Sequence, residues 1–273
     1  RTRHSHLIGV LMPRIQTGPE TRMLAGVSRV LYENGYQLLL SSTDGQPSRE
    51  LECLRIFQNN LVEGMILVGT ALTDSHRKAL DRMMVPAVVT GQRTDRLSCV
   101  YHDDYKAAGE MTGLLLKRGR RRLGMLCASD AREPAETQRR SGFLDTVESW
   151  GDGVEAFTEA CGDSVQEGWE AAGRLLEAHP DLDGLFCATD VMAAGAMEYI
   201  RSVGKEIPRD VSVTGIGDSE LNQVMTPRLT AAHYYDETSG AEAAGVLLSM
   251  IKDRYAPVKS IQLAYHVVEQ GSV

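Results

Sequence analysis

The sequence predicts an α/β protein of two lobes, each formed by a doubly wound parallel sheet. Apolar runs of strand length alternate with segments of helical period along nearly all of the 273 residues. Strand–helix–strand units of this kind form parallel sheets with right-handed crossovers. Nine strands are recognisable, in two series that break between Tyr101 and Arg122. Because a sheet usually holds about four to six strands, two sheets are expected rather than one.

The first series of strands is predicted at residues 7–12, 36–41, 65–68, 87–90 and 99–101, and the second at 123–128, 154–160, 185–188 and 211–216. Helices are predicted between them, and the clearest covers residues 21–34. Its apolar residues recur with a helical period and form one stripe: Met23, Leu24, Val27, Val30 and Leu31. Glycine ends this helix at Gly35, and the predicted helices 105–117 and 191–203 end in the same way at Gly119 and Gly204.

Composition is that of a globular protein, with 42% apolar and 24% charged residues. No apolar run approaches the roughly 18 residues that cross a bilayer, and residues 1–6 show no signal peptide. The five cysteines are widely spaced and include no C-x-x-C pair, which predicts reduced, mostly buried thiols and a cytoplasmic location. The seven histidines lack metal-ligand spacing, so neither a metal nor a cofactor is expected.

The net charge of −8 would repel a phosphate backbone, so these residues alone are not expected to bind nucleic acid. The exception is the basic cluster at residues 117–122, between a predicted helix and a strand. Cations there complement the helix dipole. Contact with an acidic partner is the alternative.

Nine stretches, read in order, resemble the effector-binding core of LacI-type transcription regulators. They are residues 8–13, 34–40, 61–67, 103–109, 118–124, 139–143, 186–196, 207–215 and 226–230. The most specific are 186–196, Phe-Cys-Ala-Thr-Asp-Val-Met-Ala-Ala-Gly-Ala, and 207–215, Ile-Pro-Arg-Asp-Val-Ser-Val-Thr-Gly.

The resemblance implies a periplasmic-binding-protein type I fold with three crossovers between lobes around a ligand cleft. The first lobe is expected at residues 1–101 plus 232–256, and the second at 102–231 plus 257–273. It also implies a homodimer that binds a sugar, sugar acid or sugar phosphate and controls operator DNA through a helix-turn-helix headpiece, which is not expected within this chain.

Within that family, residues 180–187, 222–229 and 268–273 resemble gluconate-operon repressors, which suggests gluconate as the effector; trehalose-type repressors share the Cys-Ala-Thr-Asp segment. A periplasmic sugar-binding protein is the alternative function. An enzyme is less favoured, because no nucleophile, base or metal constellation is recognisable.

Arg139 is the first candidate for effector binding, because the family places an effector-contacting arginine four residues before the aromatic residue that is here Phe143. A guanidinium offers a planar fork of donors that suits a carboxylate or vicinal hydroxyls. The alternative is a surface arginine on an amphipathic helix.

The other candidates follow strand ends. Asp103 and Asp104, and likewise Thr189 and Asp190, precede helices, so ligand contact competes with helix capping, which is expected for one of the first pair and for Asp190. Asp163 stands where many relatives carry a stacking aromatic residue. Asp218 is the neighbour of Gly217, where relatives have a cleft aspartate. The first-lobe candidates are Arg14, Pro19, Glu20 and Gln92.

Overall fold

The computed structural model describes residues 5–15, 18–128 and 133–273, and the chain separates into two compact units. Unit 1 contains the described residues up to His102 together with Tyr235–Leu263, and unit 2 contains the described residues of Asp103–Tyr234 together with Ala264–Val273. The chain therefore passes from one unit to the other three times, as the resemblance implies.

The strands are β1 Leu7–Met12, β2 Gln37–Ser42, β3 Gly64–Val68, β4 Ala87–Thr90, β5 Ser98–His102, β6 Arg122–Ala128, β7 Glu155–Cys161, β8 Gly184–Cys187, β9 Ser212–Ile216, β10 Thr230–His233, β11 Ser260–Leu263 and β12 His266–Val268. The helices are α1 Gly18–Glu33, α2 Pro47–Asn59, α3 Asp74–Met83, α4 Asp104–Lys117, α5 Pro134–Trp150, α6 Val165–Ala178, α7 Asp190–Ser202, α8 Glu220–Val224 and α9 Asp236–Lys252.

Each unit is built on one six-stranded sheet. The first has the order β11-β5-β4-β3-β1-β2 and is parallel throughout. The second has the order β12-β10-β9-β8-β6-β7, and only its edge strand β12 runs antiparallel. Helices shield the central strands β3, β8 and β9, which are buried along their whole length, the pattern expected of doubly wound sheets. The predicted fold class is confirmed.

Apart from His102, which was expected in the second lobe and lies in unit 1, the lobe boundaries differ from those expected at two places. Residues 257–263 were expected in the second lobe, but β11 pairs with β5 and extends the first sheet. Residues 232–234 were expected in the first lobe, but β10 pairs with β9 of the second sheet. The cause in both cases is a short strand whose place is set by its neighbour rather than by its own sequence pattern.

The basic cluster at 117–122 makes contacts within unit 2. Arg121 donates to the carbonyl of Leu116 in the last turn of α4, where the helix leaves carbonyls without partners. Arg122 pairs with Glu155 and Asp181, and Arg118 pairs with Glu269. Much of the cluster therefore interacts with the end of α4 or with nearby carboxylates.

All five cysteines are free thiols, and four of them are buried. Burial raises the pKa of Cys127 to about 11 and that of Cys161 to about 12, so both thiols stay protonated at neutral pH. Within the described part of the chain, no helix has both the length and the apolar character needed to cross a membrane.

Candidate functional site

A buried polar network lies beyond the carboxyl ends of the strands of the second sheet. Arg139, on α5, donates from Nε to Asp104 Oδ1 at 2.8 Å and from Nη1 to the carbonyl of Ala188 at 3.0 Å. Tyr234 donates its hydroxyl to the same Asp104 oxygen at 3.0 Å. The guanidinium carbon lies 5.9 Å from the centre of the Tyr234 ring, within the range of a cation–π contact.

Secondary structure brings these groups together. Asp104 is the first residue of α4, Ala188 follows β8, and Tyr234 follows β10. Helices that return between parallel strands begin at the carboxyl edge of the sheet, where ligands of this fold class bind. The alternative of a solvated surface arginine is excluded, because the Arg139 side chain is only 16% exposed and ion-paired.

The Arg139 side chain stays protonated and positively charged in the folded chain. Burial opposes it, but the Asp104 carboxylate more than compensates and raises the pKa of Arg139 above its ordinary value. Burial raises the pKa of Asp104, while the bonds from Arg139 and Tyr234 work against that change. With respect to the described residues, Arg139 Nη2 has no hydrogen-bond partner, so this nitrogen retains donors for a ligand.

Glu136, one turn before Arg139 on α5, is a second buried carboxyl group in this region. Burial raises its pKa to about 7, and Arg139 partly opposes this shift. Its Oε1 atom has no hydrogen-bond partner among the residues that the structure describes. Sequence reasoning missed both Glu136 and Tyr234: the first resembles a surface glutamate, and the second follows a strand that the pattern did not predict.

Thr189 and Asp163 lie together at the same sheet edge. The Thr189 hydroxyl donates to Asp163 Oδ1 at 3.4 Å and accepts the backbone N–H of Met192 at 3.2 Å. Thr189 is therefore the N-cap of α7. The prediction that Asp190 caps this helix is wrong. Thr189 and Asp190 are both good caps by residue type, and the helix begins one residue earlier than predicted.

Asp190 instead fastens the loop that follows β9. It is 1% exposed, and its Oδ2 accepts the backbone N–H of Ser219 at 2.9 Å. Gly217 passes so close that an added Cβ would lie 3.0 Å from the Asp190 carboxyl carbon, and its φ is +97°. An aspartate at 217, as in the relatives considered above, would therefore meet the Asp190 carboxylate in a strained conformation. Because Asp190 is buried and accepts the Ser219 N–H, it positions the loop that follows β9.

Asp103 and Asp218 have partners within unit 2. Asp103 accepts the backbone N–H of Lys106 at 2.9 Å and caps α4, as expected for one of the two aspartates. Asp218 accepts from the Asn222 side chain at 2.7 Å and lies 3.4 Å from His233 Nδ1.

The first-lobe candidates belong to unit 1. Arg14 is exposed on the loop after β1, while Pro19 and Glu20 lie in the first turn of α1. Gln92 follows β4 and donates its amide to the carbonyl of Thr70. This bond fixes the orientation of the Gln92 side chain.

A protein-family model described as "periplasmic binding protein-like domain" matches residues 112–273, more than half of the chain. The chain belongs to this family. The ribose operon repressor of Escherichia coli K12 is 28% identical over 98% of this chain and 82% of its own length. The regulator GntR of the same strain, described as HTH-type, is 26% identical over 98% and 81%.

Among solved structures, a LacI family transcriptional regulator from Silicibacter pomeroyi superposes with a TM-score of 0.87 at 26% identity, and the match covers 98% of both chains. The predicted resemblance to LacI-type regulators is therefore confirmed. These relatives are regulators rather than enzymes.

Proposed function

We propose that this chain is the sensing core of a transcription regulator, and that a sugar or sugar acid binds at the Arg139 edge of the second sheet. The observation that carries the proposal is the Asp104–Arg139–Tyr234 network. It holds a guanidinium fork at a fixed position while Nη2 keeps its donors. A preorganised donor of this kind lowers the ordering cost of binding.

The charges around Arg139 favour a neutral sugar over gluconate. Asp104 already balances the guanidinium at 2.8 Å, and Asp163 adds a carboxylate beside Thr189 at the same edge. A sugar hydroxyl both donates and accepts, so it suits an arginine and an aspartate together. A carboxylate ligand would have to share a guanidinium that already pairs with the Asp104 carboxylate. Gluconate, which the sequence suggested, is the charged ligand against which this argument is tested.

Regulation would follow from linkage. An effector that binds one conformation of the regulator better than another shifts their populations and thereby changes operator affinity. A coupling of about 1–3 kcal/mol changes that affinity roughly 5- to 150-fold.

We assign the operator contact to a helix-turn-helix headpiece and not to this acidic body. We also propose that the chain acts as a homodimer in the cytoplasm. The regulator GntR of Escherichia coli, which is described as HTH-type, supports the assignment of DNA binding to such a headpiece.

A thermal-shift screen tests the proposal. The panel holds ribose, sucrose and glucose as neutral sugars, gluconate as the sugar acid, and glucitol as the neutral polyol of gluconate's length. A neutral sugar at about 100 times its dissociation constant is expected to add about 2.7 kcal/mol of stability. A larger shift with gluconate than with every neutral compound contradicts the charge argument. No shift with any compound of the panel contradicts the function.

A further inference from the structure

A groove of about 320 Å³ lies between α2 and α3 of unit 1, on residues that the proposed effector site does not use. Both helices turn a regular stripe towards it. The lining residues recur every three or four positions and are Leu51, Leu54, Arg55 and Gln58 from α2, with Ser75, Lys78, Ala79, Arg82 and Met83 from α3. The volume is at the lower end of that of small-molecule pockets.

A buried contact fixes the two walls of the groove. Glu50 of α2 and His76 of α3 approach to 3.0 Å, with side chains only 5% and 1% exposed. His76 also closes the capping box of α3 with Thr73. The groove is therefore shaped before any ligand arrives, which lowers the cost of binding.

Three cations line the groove without a counter-charge. Arg55, Lys78 and Arg82 form no ion pair with any residue in the described part of the chain, whereas Arg77, on the same helix, pairs with Asp74. Lys78 and Arg82 are four residues apart on α3, so their charges repel each other. This concentration of positive charge stands out in a chain with a net charge of −8.

The other residues that line the groove suit the uncharged part of an organic anion. Leu51, Ala79 and Met83 give the groove an apolar surface, while Ser75 and Gln58 offer a hydroxyl and an amide. A phosphate monoester matches both parts. Arginine donates a planar pair of hydrogen bonds to phosphate oxygens, and lysine supplies a point charge. The apolar part of the ligand would pack against Leu51 and Met83.

We propose that the α2–α3 groove binds a small organic phosphate, with its phosphate group held by Arg55, Lys78 and Arg82. A groove of about 320 Å³ accommodates only a small body. Glu52 and Asp81, acidic residues of the same helices, do not line the groove.

Isothermal titration of the whole chain with phenyl phosphate tests this proposal. Phenol and inorganic phosphate, each lacking one half of the probe, are expected to bind more weakly. The double variant Lys78→Gln/Arg82→Gln is expected to lower the phenyl phosphate affinity by at least about tenfold, since each charged hydrogen bond contributes strongly. Arg77→Gln is the matched control, because it removes one charge from α3 outside the groove, and its affinity should stay within about twofold of the unsubstituted chain.

Three outcomes would overturn the proposal. They are no detectable binding of phenyl phosphate, an equal loss of affinity in Arg77→Gln, and phenol binding as tightly as phenyl phosphate. Sedimentation of the double variant adds a fourth: a changed assembly mass with unchanged phosphate binding would mean that a second copy of the chain covers the groove. Arg139→Lys should leave phenyl phosphate binding unaltered, which separates this site from the effector site.

Discussion

Arg139 and Asp104 stabilise one another in a place where either charge alone would be costly. Their side chains are 16% and 7% exposed, and their atoms meet at 2.8 Å. Removing one member of such a pair leaves a buried charge without compensation, at a cost of about 3–5 kcal/mol. The pair therefore has a structural effect as well as a role in the proposed site.

Arg139→Ala is accordingly expected to lower the free energy of unfolding by about 3–5 kcal/mol, as measured by urea denaturation. Arg140→Ala, at the exposed neighbouring position, is the control and should change it by no more than about 0.5 kcal/mol. Equal effects of the two substitutions would contradict the ion-pair geometry.

Glu136 predicts a pH dependence of stability. Its pKa is raised from 4.5 to about 7 in the folded chain, so between these values the folded state holds a proton that the unfolded state has released. Stability therefore falls as the pH rises from about 4.5 to 7. Glu136→Gln keeps the shape of the side chain and removes its charge, so it should reduce this fall by about 2–3 kcal/mol. Melting curves between pH 5 and 8 measure it, and an undiminished fall in the variant would refute the assignment.

At the scale of elements, helix pairs pack at glycine. In unit 1, an added Cβ on Gly26 of α1 would lie 2.0 Å from the Glu237 carbonyl oxygen, and one on Gly240 of α9 would lie 1.9 Å from that of Met23. Backbone atoms cannot yield as a flexible side chain can. The two helices must separate to admit even a methyl group.

Gly240→Ala should therefore destabilise unit 1 by about 1–3 kcal/mol, although alanine favours helices. Gly245→Ala, on the same helix with open space around the added atom, should raise stability slightly. Thermal unfolding of both variants measures the contrast. If Gly240→Ala is as stable as Gly245→Ala, α1 and α9 do not meet as described.

The sequence predicts long elements better than short ones. The nine predicted strands all lie within one residue of the observed ends, because continuous apolar runs mark them. β10, β11 and β12 escaped prediction. Thr230–His233 and His266–Val268 are too short for a period to be visible, and Ser260–Leu263 alternates polar and apolar over only four residues.

The site was predicted in part for the same reason. Asp104 and Thr189 border elements that the pattern predicts, whereas Arg139 was found through the resemblance to LacI-type regulators. The structure engages Arg139 with Asp104, and Thr189 with Asp163. Tyr234 reaches Asp104 across 130 positions of sequence. No local pattern signals a contact at that separation.

At the scale of the whole molecule, the proposal requires a dimer whose acidic body does not itself read DNA. Sedimentation equilibrium should give twice the chain mass of 29.9 kDa. Mobility-shift assays with operator fragments should show no sequence-specific binding by residues 1–273, since a net charge of −8 opposes the phosphate backbone. A monomer at high concentration, or operator-specific binding by these residues, would contradict the proposal.

The central claim, that Arg139 binds a sugar, is tested most directly by calorimetric titration of Arg139→Lys and Arg140→Lys with the sugar that gives the largest thermal shift. Lysine retains the positive charge beside Asp104 but loses the planar fork. We predict that Arg139→Lys lowers the affinity at least about tenfold while Arg140→Lys binds as the unsubstituted chain does. Unchanged affinity in a folded Arg139→Lys variant would contradict the claim.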